Sequence, residues 1–207
     1  MRICWLDTET TGLDPIRNGL IQVAYIIEEN GQIIGEDNVR IRPFEIDEIN
    51  ESALHTNHIT KEQLEQYPDA YQMAKKLWND LYEYTYINKE VDSKREHLWM
   101  AGHNVKFDYD FLDNFFQKSN SYRKIYCPDE LENFSIKCLF DFHLIDTFSV
   151  SNFLKYCGVD FGTSHKLTAL CEKFQIPLNE NDAHDAMNDI NATFQLGQVF
   201  KNAFLRK

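Results

Sequence analysis

The chain has 207 residues, 43% of them hydrophobic, enough for one sizeable core and short for two, so a single domain spanning residues 1–207 is expected. A formal charge of -12 argues against the broad basic face of a protein that coats nucleic acid, and five cysteines without a Cys-x-x-Cys spacing support neither a disulfide framework nor a zinc site. No basic-plus-apolar leader precedes Cys4-Trp5 and no apolar run approaches membrane-spanning length, so the expectation is a soluble, cytoplasmic protein with no membrane partner.

In chain order, residues 2–6 read as a short buried strand and Thr11-Gly12-Leu13-Asp14-Pro15 as a turn. Residues 20–28 and 32–42 read as two strands joined across Glu29-Asn30-Gly31, where Asn-Gly is a hairpin signal. The opening is therefore three antiparallel strands. Residues 45–59 are polar and read as irregular, after which Thr60-Lys61-Glu62-Gln63 has the capping-box pattern of a helix start. A longer helix is expected over residues 69–84, because Ala70, Met73, Ala74, Leu77, Leu81 and Tyr84 keep helical spacing. Residues 98–101 predict a short strand, and Asn104 an N-cap for a helix running to about residue 117. The polar stretch 118–135, with Pro128, reads as a loop or small insertion. Residues 167–174 predict a short helix and 185–204 the last one. Strands followed by strands alternating with helices imply an α/β chain with a mixed sheet flanked by helices.

Three segments concentrate groups suited to chemistry: Trp5-Leu6-Asp7-Thr8-Glu9-Thr10-Thr11-Gly12, Gly102-His103-Asn104-Val105-Lys106-Phe107-Asp108, and Ala183-His184-Asp185-Ala186-Met187-Asn188-Asp189. Strand side chains alternate faces, so Asp7 and Glu9 project the same way, about 7 Å apart along the backbone. Two like charges there repel unless a cation sits between them. Asp108 shares a helix face with Leu112 and Phe115, and Asp189 lines up with Ala186, Thr193, Leu196 and Phe200, so both carboxylates point inward and need partners. His184 precedes Asp189 by five residues, about 140° on an ideal helix. It must therefore lie on the lead-in or first turn, with Asp182 or a neighbour as cap. Four carboxylates and one imidazole suit phosphodiester hydrolysis, and oxygen ligands suit two Mg²⁺ or Mn²⁺ better than zinc.

In order and context these segments resemble the DEDDh branch of the 3'-to-5' exonucleases, the group that includes the proofreading subunit of bacterial replicative polymerases, from about residue 3 to about residue 200. The resemblance implies a ribonuclease-H-like fold, with a mixed five-stranded sheet of three antiparallel then two parallel strands. Residues 142–147 would then be the last strand and the start of its following helix. It further implies that Asp7, Glu9, Asp108 and Asp189 hold the metals, that His184 acts as the base, and that Thr10, Gly12, Leu13, Asn104 and Phe107 touch the terminal nucleotides. Lys166 reads as a surface lysine or a phosphate contact. His55-Thr56-Asn57-His58-Ile59-Thr60 falls where many relatives carry His-Gly-Ile-Thr, so this chain departs from them at Asn57-His58.

The expected function is release of nucleoside 5'-monophosphates from the 3' end of a single strand, DNA favoured over RNA, in proofreading or repair. Any DNA polymerase partner would join in trans. An exoribonuclease trimming RNA 3' ends and a non-catalytic nucleic-acid-binding or replication-scaffold module are the alternatives.

Overall fold

The computed structural model describes residues 1–87, 95–178 and 184–205. Strand β1 (Arg2–Thr10) is the centre of the main sheet. It pairs antiparallel with β2 (Leu20–Glu29), which pairs antiparallel with β3 (Gln32–Arg40). The β2–β3 turn is Asn30-Gly31, both residues at positive φ, the backbone that the Asn-Gly signal predicts. After β3 come three helices, α1 (Glu51–Thr56), α2 (Lys61–Glu65) and α3 (Ala70–Tyr84), then a two-stranded ladder of β4 (Tyr86–Ile87) and β5 (Arg95–Glu96). Strand β6 (Leu98–Gly102) pairs parallel with the other edge of β1, and β7 (Phe140–Asp146) pairs parallel with β6. The strand order is β3-β2-β1-β6-β7, three antiparallel strands and then two parallel ones, as expected. Helix α4 (Val105–Tyr126) connects β6 to β7, and α5 (Thr147–Tyr156), α6 (Leu167–Phe174) and α7 (Ala186–Leu205) follow.

The two faces of β1 serve different layers. Cys4 and Leu6 enter the larger core with α3 and α4, through Ala74, Leu77, Phe111 and Leu112. Trp5 turns to the opposite face and packs with Ala186 and Ile190 of α7. Period-two alternation carries Asp7 and Glu9 to the α7 side and Thr8 to the α4 side. Every residue of β2 except its last is buried, because helices cover both faces. Gly197 lets α7 lie against this sheet, since a methyl at that position would fall on the Trp5 indole.

Several expectations need correction. Strand β1 runs to Thr10 rather than stopping at residue 6, so the polar end containing Asp7 and Glu9 stays in register with β2. Within the stretch read as irregular, α1 forms around one buried side chain, Leu54, which packs with Ile21, Ile59 and Leu64. Helix α4 continues to Tyr126, so residues 118–126 are helical rather than loop. Polar spacing concealed this: Lys118, placed where the stripe looked finished, reaches inward to the buried Asp47 carboxylate and to the Asn18 carbonyl at 2.9 Å. Asn104 is no side-chain cap; it sits in the left-handed region (φ 64°) with its backbone N–H donating to Asp146 Oδ1 at 2.7 Å. The capping box at Thr60 and Gln63 is present in both halves, and α6 has the bounds its pattern predicts. Among the described residues, no helix is long and apolar enough to cross a membrane.

Candidate active site

The carboxylates meet where the end of β1, the first turn of α4 and the start of α7 converge. Thr8, on the α4 face, donates its hydroxyl to Asp108 Oδ1 at 2.8 Å and so ties the first turn of α4 to β1. That is the partner a buried carboxylate requires. Helix α7 starts at Ala186, so His184 lies ahead of it on a turn at φ 65°, exposed, with its backbone N–H donating to Asp189 Oδ2 at 3.2 Å. The angular conflict between His184 and Asp189 thereby disappears. Ligand atoms of Glu9, His184 and Asp189 all lie within 4.8 Å of one another. This close trio differs from the expected metal set, because it includes the imidazole while Asp7 and Asp108 flank it.

Electrostatics bind the wider group together. The Asp7 carboxyl is held well above the usual carboxylate range, first by burial and then by the charges of Asp108, Glu9, Asp189 and Asp185. Burial, followed by Asp189, Asp108 and Asp185, pushes Glu9 up to about 8. Burial also raises Asp108 to about 7, against the stabilising hydrogen bonds from Thr8 and the backbone. Asp189 is raised by burial, with the His184 N–H and ring opposing the shift. Four carboxyls that resist ionisation together form a region of stored repulsion.

The residues present fit a divalent cation. Asp189 Oδ1 is buried and has no hydrogen-bond partner among the described residues, while its second oxygen accepts from the His184 N–H. A buried carboxylate oxygen without a donor is an uncompensated cost unless positive charge reaches it. Oxygen-rich donors, neutralised most effectively by a hard cation, have the chemistry of a divalent metal site.

Two open clefts adjoin this cluster. The first, about 700 Å³, is lined by Glu9, Thr10, Gly12, Leu13, Phe107 and His184 among others. Thr10 donates its hydroxyl to the Gly12 carbonyl at 2.6 Å, Leu13 stands 84% exposed, and half-buried Phe107 leans on Phe111. Gly12 is buried against the Asn18 and Asn50 side chains, leaving no room for a Cβ. The second cleft, about 810 Å³, shares His184 with the first and is bounded by Asn104, Phe148, Lys166 and Asp189. Of the five expected substrate contacts, Thr10, Gly12, Leu13 and Phe107 therefore share one cleft and Asn104 borders the other.

Sequence reasoning left Asp185 as an unnamed neighbour of Asp182 and missed Asp146. Asp185 Oδ1 accepts from the N–H groups of Met187 and Asn188, which starts α7, while its Oδ2 accepts from Gln22 on β2 at 3.1 Å. Its position two and three residues before those donors is an N-cap signal. Asp182, the other proposed cap, lies outside the described residues. Asp146 joins the Asn104 N–H to the first turn of α5, accepting also from Phe148 N–H and Ser149 Oγ, and its charge adds to the raised Asp108.

Residues 4–196 match the profile of the RNase_T family, described as Exonuclease. The chain is 26% identical over 197 residues to a PolC-type DNA polymerase III of Ureaplasma parvum serovar 3, covering 95% of this chain and 11% of that protein. It is 28% identical over 190 residues to the PolC-type DNA polymerase III of Halalkalibacterium halodurans, covering 92% and 11%. The fold superposes on E. coli Exonuclease I in complex with a dT13 oligonucleotide with a TM-score of 0.70 at 20% identity, over 97% of this chain and 41% of that one. A moderately thermophilic Exonuclease I from Methylocaldum szegediense gives 0.68 at 21% identity, over 97% and 40%. The chain thus spans about a tenth of the length of these polymerases and about two fifths of the Exonuclease I chains. The shared architecture is the ribonuclease-H-like exonuclease fold.

Proposed function

The chain belongs to the RNase_T exonuclease family, and on that premise we propose that it is a divalent-metal-dependent 3'-to-5' exonuclease. Its substrate in this reading is a single-stranded DNA 3' end, and its product a nucleoside 5'-monophosphate. One observation carries the reading: Glu9, His184 and Asp189 stand within 4.8 Å of one another at the junction of two clefts, inside the field of Asp7 and Asp108. The similarity of the chain to PolC-type polymerases supports DNA as substrate and proofreading or repair as the use.

In the proposed site, Asp7, Glu9, Asp108 and Asp189 hold two Mg²⁺ or Mn²⁺ ions. When bound, the ions supply a more acidic water and neutralise charge on the scissile phosphate and the departing 3' oxygen. His184 takes the proton of the attacking water, a task its exposed turn permits. Thr8 orients Asp108 by its 2.8 Å hydrogen bond. Leu13 and Phe107 border the terminal base, while Thr10 and the Gly12 backbone border its sugar, all within the first cleft. Asn104 borders the strand from the second cleft. In this reading the catalytic unit is a single domain within residues 1–207, and a DNA polymerase is its partner.

Parallel digestion of 5'-labelled DNA and RNA, single- and double-stranded, with Mg²⁺ or with a chelator, tests this reading. The expected ladder shortens from the 3' end of single-stranded DNA, needs the cation and yields mononucleotides. Preferential shortening of RNA would reassign the substrate. Strand binding without any metal-dependent product would reduce the chain to a binding module.

A further inference from the structure

The two clefts differ in charge. Carboxylates of Glu9, Asp14 and Glu48 line the first, where the sole guanidinium among its lining residues, Arg17, is already paired with Glu48 at 2.8 Å. In the second, Asp189 is the one carboxylate in the lining, against Lys166, His55 and His58. Lys166, His55 and His58 are exposed, and no side-chain hydrogen bond or ion pair among the described residues engages them. His103 also lines this cleft but is spoken for, its ring nitrogens lying 2.9 Å from Thr147 Oγ1 and 3.0 Å from the His165 carbonyl.

The asymmetry matches the chemistry of a strand end. A 3'-terminal nucleoside carries no phosphate beyond the scissile one, so an acidic cleft with Leu13 and Phe107 can receive it. Every nucleotide on the 5' side adds a negative charge, which three carboxylates would repel and Lys166 would attract. Neutral imidazole still offers one N–H to a phosphate oxygen. His58 is also held in place: the preceding residue, buried Asn57, donates its Nδ2 to the Thr10 carbonyl at 3.1 Å, which fastens the His58 loop to the end of β1.

Resting on the exonuclease reading above, we propose that the second cleft is the subsite for the phosphodiester backbone 5' to the scissile bond, with Lys166 and His58 as phosphate contacts. Phe148, 37% exposed on the cleft wall, offers a face on which a base of that segment stacks.

Steady-state kinetics on single-stranded thymidine di- and octanucleotides, with Mg²⁺, test the proposal in Lys166→Ala, His58→Gly and their combination. His58 has φ 55°, which glycine adopts freely, so that replacement leaves the loop backbone unstrained. The double variant should raise KM for the octanucleotide roughly tenfold and for the dinucleotide less than about twofold. The slope of log KM against log salt should become shallower by about one. Lys166→Arg alone should leave both at their wild-type values. Equal changes on the two substrates, or no change on the longer one, would overturn the subsite. A wild-type protein that releases no mononucleotide from either substrate would instead bring down the exonuclease reading, and this one with it.

Discussion

Substituting Glu9 by Gln should stabilise the metal-free protein, and only above mildly acidic pH. Glu9 is 8% exposed, and its carboxyl is pushed up to about 8 from an ordinary 4.5. A carboxyl raised by folding favours the protonated native state. Stability is therefore complete below the ordinary value and drains away as pH rises toward the folded one. With each pKa unit worth about 1.4 kcal/mol, ionisation of this single group removes on the order of 3 kcal/mol between pH 5 and pH 8. For a protein of this size that is roughly 10 °C in Tm. Gln keeps the shape and loses the charge. Thermal melts in chelator should show Glu9→Gln close to wild type at pH 5 and well above it at pH 8. Added Mg²⁺ should raise the wild-type Tm most at pH 8, where the repulsion it relieves is largest. Parallel curves for the two proteins from pH 5 to pH 8 would refute the account of the site as a reservoir of carboxylate repulsion.

Other consequences are open to measurement. Asp7→Asn should fold and cut metal-dependent hydrolysis by at least about 10²-fold, the scale of losing one electrostatic group at a reacting centre; wild-type turnover would remove Asp7 from the site. His184→Ala should lower kcat by about 10²- to 10⁴-fold while calorimetric Mn²⁺ binding changes much less. Loss of both together would make His184 a ligand, as its place beside Glu9 and Asp189 permits. Gly197→Ala puts a methyl on the Trp5 ring, and such overpacking costs about 1–3 kcal/mol. A lower Tm together with a lower kcat is expected, because α7 carries Asp189; an unchanged Tm would show that α7 does not seat on Trp5 as described.

Where a signal was local, the chain read correctly. The Asn30-Gly31 hairpin, the Thr60 capping box and the apolar spacing of α3 and α6 each depend on neighbours within a few residues. Where the stabilising partner was distant, the reading failed. Helix α1 owes its place to Leu54 meeting Ile21 and Leu64, and the last two turns of α4 keep their place partly because Lys118 finds Asp47, 71 residues earlier. Asn104 looked like a cap by residue type, yet its backbone sits in the left-handed region at φ 64° rather than the extended one a cap uses, with its N–H donating to Asp146.

Residue identity and period alone determined the three antiparallel strands, the side on which Asp7 and Glu9 project, and the inventory of carboxylates and imidazole. Alternation and helical spacing are properties of the backbone itself, so they survive whatever surrounds them. Tertiary structure decided the rest: that Thr8 would satisfy Asp108, that Gln22 would reach Asp185, and that one cleft would be acidic and the other not. Burial and charge act through space between segments far apart along the chain. The four raised carboxyls exist only once packing brings those segments together.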